Sequence, residues 1–538
     1  MKSNKINNPI FRDFAIETVN VGGYPIQTFK YRFPNLWSMF DKSVSAYKDM
    51  PYIKEGQNVF SYQQVRKDAL SMAKYLQNYA GVGKGDNVAI LMETSIRFII
   101  SFWGIQRLGA TAVVLNTRLS PPELKRQLEA SDLKLLISSP ALESKLKETL
   151  ALSVSIPKII LDESWKEKLL QGGIQGVVPE ILEDDTAVIL FTSGTSGAPK
   201  GVMMTHRNLI TNSLKKLASE GPYDGPDNKN MLIVAPLFHV LALSGQLLPA
   251  SLFGRCCILM PQFKAPEVLD VIVRERVSFL SGSPTMYWML LNKTNIREMK
   301  LNHLKFINYG GAPMSPDLLK DIRKTFPGVA CSNGYGMTEA SQMARLTDEF
   351  CDTHPTSVGK PSLCSEIKIV DPETGVELGP NCKGEIVTRG ANVFKGYYNQ
   401  PELTAEVFRE GWLHSGDTGY MDSDGFLYPT GRVKEMINRG GENVFPVEVE
   451  NVVALHPKIL DCSVFGLPDP VMGSVVAVAV VLKSPEDTID IKELKKYCAD
   501  RLADYKIPTK MFVVQELPRN PGGKVMKTEL IKEFNSLD

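Results

Sequence analysis

The stretch from Phe191 to Gly201, FTSGTSGAPKG, gathers the residue types that suit a polyphosphate. Thr192, Ser193, Thr195 and Ser196 offer hydroxyl donors, and Lys200 adds a full positive charge. Gly194 and Gly197 permit close approach of a ligand. Consecutive backbone N–H groups in such a turn form a concavity for anions. Beyond Phe191 the only apolar side chain is the small Ala198, so packing does not explain the stretch. A Gly/Ser-rich segment is by default a solvated loop. Here it follows an apolar run at 188–191 that reads as a buried strand, and in α/β proteins ligands collect at the carboxyl ends of strands. A Walker-type loop fits poorly: it needs GxxxxGK[ST], whereas Lys200 follows a proline and precedes Gly201.

Other chemistry-bearing residues are ambiguous when each stands alone. Asp417 follows a glycine and reads as a turn aspartate. Lys524 lies in NPGGKVMK, where Pro521, Gly522 and Gly523 make a loop able to deliver a lysine without a packed helix, yet a lone loop lysine is normally solvated. Tyr335 reads as a core tyrosine beside a strand, and Lys434 as a linker charge. His239 stands alone like the other histidines, His206, His303, His354, His414 and His456, none spaced for a metal site.

Motif order removes the ambiguity. After the loop at 192–200 come PLFHV at 236–240, NYGGAPMS at 308–315, NGYGMTEA at 333–340, GWLHSGD at 411–417, GRVKEMINRGGENVFPVEVE at 431–450 and NPGGKVMK at 520–527. In type and order these resemble the acyl- and aryl-CoA synthetases of the adenylate-forming superfamily, which includes nonribosomal adenylation domains and beetle luciferases. The resemblance runs from about residue 35 to Lys524 and leaves the first 30 residues uncovered.

The resemblance implies a two-step reaction. A carboxylate attacks the α-phosphorus of ATP, giving acyl-AMP and pyrophosphate, and the thiol of coenzyme A then displaces AMP. Both steps gather negative charge, so positioning and fixed positive groups should carry catalysis. By the resemblance, Thr192, Ser193, Gly194, Thr195, Ser196, Gly197 and Lys200 hold the β- and γ-phosphates. Thr338 contacts phosphate and Glu339 ligates Mg²⁺, which characteristically takes one or two carboxylates and otherwise phosphate oxygens and waters. Tyr335 stacks on adenine, with Gly311, Ala312, Gly336 and Asn443 among the nucleotide contacts. Asp417 and Arg432 bind the ribose, a carboxylate being able to accept from two hydroxyls. Lys524 bridges the substrate carboxylate and the α-phosphate. Gly440 and Gly441 flank the path of the pantetheine arm, and Lys434 marks the hinge. Asn438 stands where plant coumarate ligases carry a lysine, so no role passes to it. His239, Tyr309, Gly310, Gly334 and Met337 line the acyl pocket, with His239 shifting between states.

That lining is neutral, which disfavours an amino-acid substrate and suits a hydrophobic tail. PLFHVLAL leans toward the fatty-acid ligases, so a medium- or long-chain fatty acid is the expected substrate and an aryl acid the alternative. A free-standing enzyme loading a carrier-protein phosphopantetheine, a luciferase-type oxygenase and a catalytically dead nucleotide sensor are further readings. The last should have lost Lys524 or Glu339, and both are present.

Positioning these residues takes several elements. The chain has 538 residues with formal net charge +1, 43% hydrophobic and 22% charged. That is too long for one core, and it offers no electrostatic reason to expect nucleic acid or an anionic membrane as partner. Eight cysteines without CxxC spacing suit reduced thiols in the cytoplasm. The N-terminus reads as neither signal peptide nor membrane span, leaving room only for peripheral membrane contact, and the oligomeric state is open. Helices are expected at 62–80, 95–108 and from Ser120, with Pro121 at the first turn and Glu123 closing a capping box. Strands are expected at 87–92, 111–115 and 133–138. The alternation recurs from 186 to about 345, with strands at 187–191, 231–235, 255–260, 304–309 and 329–333 and helices at 265–277 and 315–326. Short strands separated by Gly, Asn and Asp follow from 362 to 429, and a small α+β tail closes the chain. The expected fold is α/β: a large N-terminal domain (1–432) of two doubly wound α/β subdomains plus a small β-barrel, then a small mobile α+β C-terminal domain (433–538).

Overall fold

The computed structural model describes residues 8–11, 13–152, 155–170, 179–193, 199–221, 229–312, 314–439, 442–484, 486–519 and 525–535. The chain divides into two compact units, one of residues 1–367 and 388–413, the other of 368–387 and 414–538.

Two large sheets organise the first unit. Neighbours in the first are, in order, Gly396–Tyr397, Pro199–Thr205, Thr186–Ser193, Thr111–Val114, Asn87–Leu91, Leu133–Ser138 and Lys158–Ile160. It is parallel from Thr186–Ser193 onward, and the first two strands run antiparallel to their neighbours. The second sheet runs Lys360–Pro361, Ser341–Leu346, Ala330–Met337, Phe306–Gly310, Phe279–Gly282, Asn230–Ile233, Cys256–Leu259, Pro51–Glu55 and Asn58–Ser61. Its interior pairs are parallel and its two ends antiparallel. The central strands are buried along their whole length, as parallel strands covered on both faces must be.

Local signals set several boundaries. The helix Tyr62–Ala80 starts on a Ser61/Gln64 capping box and ends at Gly81 in the left-handed conformation. In the helix Pro121–Glu129, the Glu123 carboxylate accepts from both the backbone N–H and the hydroxyl of Ser120. Sheet membership departs from the expectation. The run 187–191 was expected to open the second α/β unit, but it lies in the first sheet, with Val188 opposite Ala112. Conversely, Pro51–Glu55 and Asn58–Ser61 pair into the second sheet, beside Cys256–Leu259. An apolar run specifies a buried strand. Its neighbour is chosen by packing across the whole chain.

The helix His206–Glu220 is buried along most of its length, polar residues included. Glu220 meets Lys216 at 3.3 Å, Arg255 at 3.1 Å and Arg345 at 3.3 Å, all four side chains being buried. Burial alone would raise the Glu220 pKa, but Lys216, Arg345 and Arg255 outweigh it and hold the carboxyl at about 2. This pairing fastens the helix to the second sheet.

In the second unit, Ile459–Asp469 and Gly473–Leu482 form a long hairpin. The short strand Ile437–Arg439 pairs with it antiparallel and Lys510–Val513 parallel. Helices Pro446–Val453 and Ile491–Ala499 bury an apolar cluster including Val449, Val478 and Leu494, and Lys527–Asn535 buries another around Phe465 and Phe534. Trp412–Met421 runs antiparallel to Leu427–Arg432. Among the described residues no helix is long and apolar enough to cross a membrane.

Removing the Glu220 charge strands its cationic neighbours in the interior. Glu220→Gln should cost roughly 3–5 kcal/mol, read as a clear fall in the thermal midpoint. An unchanged midpoint would contradict the role given to this pairing.

Candidate active site

Two hairpins from different sheets build the site in the first unit. The first joins Thr186–Ser193 to Pro199–Thr205 and places half-buried Thr192 opposite half-buried Lys200. Gly194, Thr195, Ser196 and Gly197, at its tip, lie outside the described residues, as does the side chain of Ser193. On its outer edge Val202 pairs with Tyr397. Lys200 Nζ lies over the Tyr397 ring, 5.4 Å from the centroid. The Tyr397 hydroxyl donates to Glu339 Oε1 at 2.9 Å. One aromatic side chain thus contacts the lysine of the first hairpin with its face and the carboxylate of the second with its hydroxyl.

The second hairpin joins Ala330–Met337 to Ser341–Leu346, with Thr338, Glu339 and Ala340 in the turn. Half-buried Tyr335 stands opposite Ala344 and Met337 opposite Ser341. The glycine at 336 is a packing requirement: a Cβ there would lie 1.6 Å from the Ser341 carbonyl oxygen. Gly310 is likewise constrained, since its Cβ would lie 2.5 Å from the Gly334 carbonyl oxygen. Thr338 is half-buried, and Glu339 is buried at 7% exposure.

The segment 391–398 pins this turn from outside. The Phe394 N–H donates to the Glu339 carbonyl at 2.7 Å, and Asn392 Nδ2 to the Ala340 carbonyl at 2.5 Å. The segment is itself held by Asn208 Nδ2, which donates to the carbonyls of Ala391 at 2.9 Å and Val393 at 2.7 Å. Lys215 donates to Ser365 Oγ, and Ser365 Oγ to Asn392 Oδ1 at 2.9 Å. Burial pushes the Lys215 ammonium down to about 7. None of Tyr397, Asn392, Asn208 and Lys215 was singled out by sequence reasoning. Each acts through contacts 27 to 185 positions away in the chain, which no local pattern encodes.

Gly311 and Ala312 are exposed at the end of Phe306–Gly310. Tyr309, expected in the acyl lining, is fully buried with its hydroxyl 3.7 Å from Cys351 Sγ. Successive strand residues face opposite ways, so Tyr309 packs on the face away from Asn308 and Gly310. Gly334 is half-buried. His239 is exposed and caps the short helical turn Val240–Ala242, its ring 4.8 Å from that of Phe238. His206, by contrast, is a core residue: Nδ1 accepts from the Leu36 N–H, and burial lowers its pKa to about 4.

In the second unit Asp417 and Arg432 are register partners, and Arg432 Nε lies 2.6 Å from Asp417 Oδ1. The Ser415 hydroxyl accepts from the Asp417 N–H at 3.0 Å. Asn443 pairs through its backbone with Asn438, and Lys434 lies in the turn Val433–Glu435; their side chains are outside the described residues. Gly440, Gly441 and Lys524 are outside them too.

Glu339 is a buried carboxylate that accepts from the Tyr397 phenol, whose ring lies under Lys200, and Thr338 precedes it in the turn. Among the described residues no group of three His, Cys, Asp or Glu could enclose a metal. That donor set fits Mg²⁺, which needs one or two carboxylates when phosphate oxygens complete its shell. The Thr192/Lys200 edge and the hydroxyl of Thr338 fit those phosphates.

Residues 40–398 match the AMP-binding enzyme family, and residues 448–524 match the AMP-binding enzyme C-terminal domain. The chain belongs to this family, and it is an AMP-forming acid–thiol ligase. Feruloyl-CoA synthase of an Amycolatopsis species is 36% identical over 489 residues, covering 90% of this chain and 95% of that protein. A long-chain-fatty-acid–CoA ligase of Escherichia coli O157:H7 is 30% identical over 536 residues, covering 93% and 95%. The o-succinylbenzoate-CoA synthetase of Bacillus subtilis, solved in complex with ATP and magnesium ion, is 32% identical with a TM-score of 0.81, covering 93% of this chain and 100% of that one.

Because folding depresses the Lys215 pKa from its ordinary value near 10.4, the unfolded chain binds more protons between about pH 7 and that value. Wild-type stability should rise with pH across this window. The thermal midpoint of Lys215→Met minus that of wild type should be greatest at or below pH 7 and shrink toward pH 10. A difference independent of pH would contradict a buried ammonium.

Proposed function

We propose that this chain activates a hydrophobic carboxylic acid with ATP and Mg²⁺ and transfers the acyl group to coenzyme A. The observation that carries the reading is the Lys200–Tyr397–Glu339 arrangement, which sets a cation over the face of one ring and a carboxylate on its hydroxyl. The loop at 192–197 and Lys200 hold the β- and γ-phosphates, with Thr338 donating to phosphate. Glu339 holds the metal, with Tyr397 fixing the carboxylate as a partner behind the ligand. When bound, Mg²⁺ neutralises charge developing on the phosphate oxygens. Tyr335 stacks on adenine between Gly311, Ala312 and Gly336. The Asp417–Arg432 pair reads the ribose, the carboxylate accepting and the guanidinium donating.

In the first step a carboxylate oxygen of the acid attacks the α-phosphorus, and the bond to pyrophosphate breaks. Lys524 lies against both reacting groups and stabilises the charge that gathers between them. In the second step the thiolate of coenzyme A attacks the acyl carbon and AMP leaves with the bonding pair. The tail from about residue 433 turns about Lys434 between the steps, and the pantetheine arm enters past Gly440 and Gly441. His239, Gly334 and Met337 border the acid.

An aromatic acid is favoured over the fatty chain expected from PLFHVLAL. Its support is the 36% identity to a feruloyl-CoA synthase against 30% to a long-chain ligase. A panel of cinnamic, benzoic, octanoic and palmitic acids, assayed with ATP, Mg²⁺ and coenzyme A for pyrophosphate release, should give the highest kcat/KM with an aromatic member. No release with any acid would overturn the ligase reading.

Two variants test the assigned roles. Tyr397→Phe should lower kcat/KM for ATP by about 10–100-fold, the usual effect of losing a ligand's hydrogen-bonding partner. Lys524→Ala should abolish acid-dependent ATP–pyrophosphate exchange while largely sparing thioester formation from supplied acyl-AMP. Equal loss of both reactions would remove the special role of Lys524.

A further inference from the structure

A buried carboxylate in the second unit is committed to the turn that presents Asp417. Glu385 lies on Gly384–Gly390, which neighbours Trp412–Met421 in one sheet, and it is 7% exposed. Among the described residues no lysine or arginine pairs with it; its ionic partner is His414. His414 Nδ1 donates to Glu385 Oε2 at 2.7 Å, and the Gly416 N–H donates to Oε1 at 3.0 Å. Between them, the Ser415 hydroxyl donates to the Ile386 carbonyl at 2.5 Å and accepts from the Asp417 N–H at 3.0 Å. Residues 414–416 are thus fastened directly to Glu385 and Ile386, and Asp417 is fastened through Ser415.

Strand pairing alone does not call for this. Neighbouring strands need only backbone bonds, and taking a carboxylate out of water is costly unless charge-assisted donors offset it. Gly416 supplies a reason for the added restraint. Its φ is +70°, so the chain turns immediately before Asp417 at the residue type with the most conformational freedom. Glu385 fixes the N–H of that glycine, while Arg432 Nε meets Asp417 Oδ1 at 2.6 Å. The Asp417 carboxylate is therefore aimed from two sides, by its register partner across the hairpin and by Glu385 through the backbone.

We propose that Glu385 is a positioning residue: its carboxylate, through His414 and the Gly416 N–H, sets the backbone so that Asp417 meets the ribose hydroxyls of the nucleotide. This rests on the reading above in which Asp417 and Arg432 bind the ribose. Glu385 acts through these groups and not by contact with the nucleotide. Hydrogen bonds weaken steeply as their angle closes, so a small rotation of Asp417 weakens its grip on the hydroxyls. A nucleotide without ribose hydroxyls is indifferent to that rotation. Loss of Glu385 therefore shows as lost discrimination between the two kinds of nucleotide, whereas a merely structural residue would weaken both alike.

The test is calorimetric titration of the full chain with ATP and with 2′,3′-dideoxy-ATP, each with Mg²⁺ and without acid or coenzyme A, read as the ratio of the two Kd values. Wild type should favour ATP by about tenfold or more, and Asp417→Ala should bring the ratio to within about threefold of unity. Glu385→Gln keeps the size of the side chain but turns an amide N–H₂ toward a donor. It should lower the ratio by about threefold or more, with the Kd of dideoxy-ATP within about threefold of wild type. His414→Leu should lower the ratio likewise, and His414→Asn, whose amide can donate to Glu385, should keep it. These two variants carry the test should Glu385→Gln fail to fold. A wild-type ratio in Glu385→Gln, or in His414→Leu where that variant must stand in, would overturn the inference and leave the ribose reading in place. Equal weakening of both nucleotides would do the same. A wild-type ratio near unity, or one that survives Asp417→Ala, would remove the ribose reading and this inference together.

Discussion

The site depends on one tyrosine. Tyr397 lies on a two-residue edge strand, its ring under Lys200 and its hydroxyl on the Glu339 carboxylate. Lys200 belongs to the first large sheet and Glu339 to a turn of the second. The ring is therefore a direct link between a cation and an anion from different sheets. A carboxylate in the metal-binding role proposed for Glu339 needs an orientation independent of the ligand, and the buried Tyr397 phenol supplies it.

Around that link the structure spends its polar groups on rigidity. Asn208 holds the segment that carries Tyr397, and Asn392 holds the turn that carries Glu339. Asn208 and the Lys215 that reaches Ser365 both project from the helix His206–Glu220, which Glu220 fastens to Arg255 and Arg345. A helix buried with asparagines, lysines and a glutamate would be poorly placed in a purely structural core. Here Asn208 holds the segment 391–393, while Asn212, Lys215 and Glu220 reach Gln342 and Arg345 of the second hairpin.

The legible parts were those encoded over short spans. Ser120 and Glu123 announced a helix start, the alternation of apolar runs announced parallel sheets, and the order of glycine-rich motifs announced the family. What the sequence hid was set by long-range packing. Val188 pairs with Ala112 rather than within the second sheet, because several buried strands of similar composition compete for the same neighbours. Tyr309 sits in the middle of a motif yet faces Cys351, because alternation along a strand turns adjacent residues apart. Gly310 and Gly336 look like ligand-contact glycines, and each is explained by a backbone that passes too close for a side chain. Tyr397, in GYYNQ, gave no signal at all, since its meaning lies in two contacts with Lys200 and Glu339.

The most direct test of the central claim is a crystal structure with Mg²⁺ and a non-hydrolysable ATP analogue. The account predicts triphosphate density against Lys200 and Thr192, a metal bound by a Glu339 oxygen, and the Tyr397 hydroxyl still donating to that carboxylate. Triphosphate lying elsewhere, or a metal held without Glu339, would contradict it.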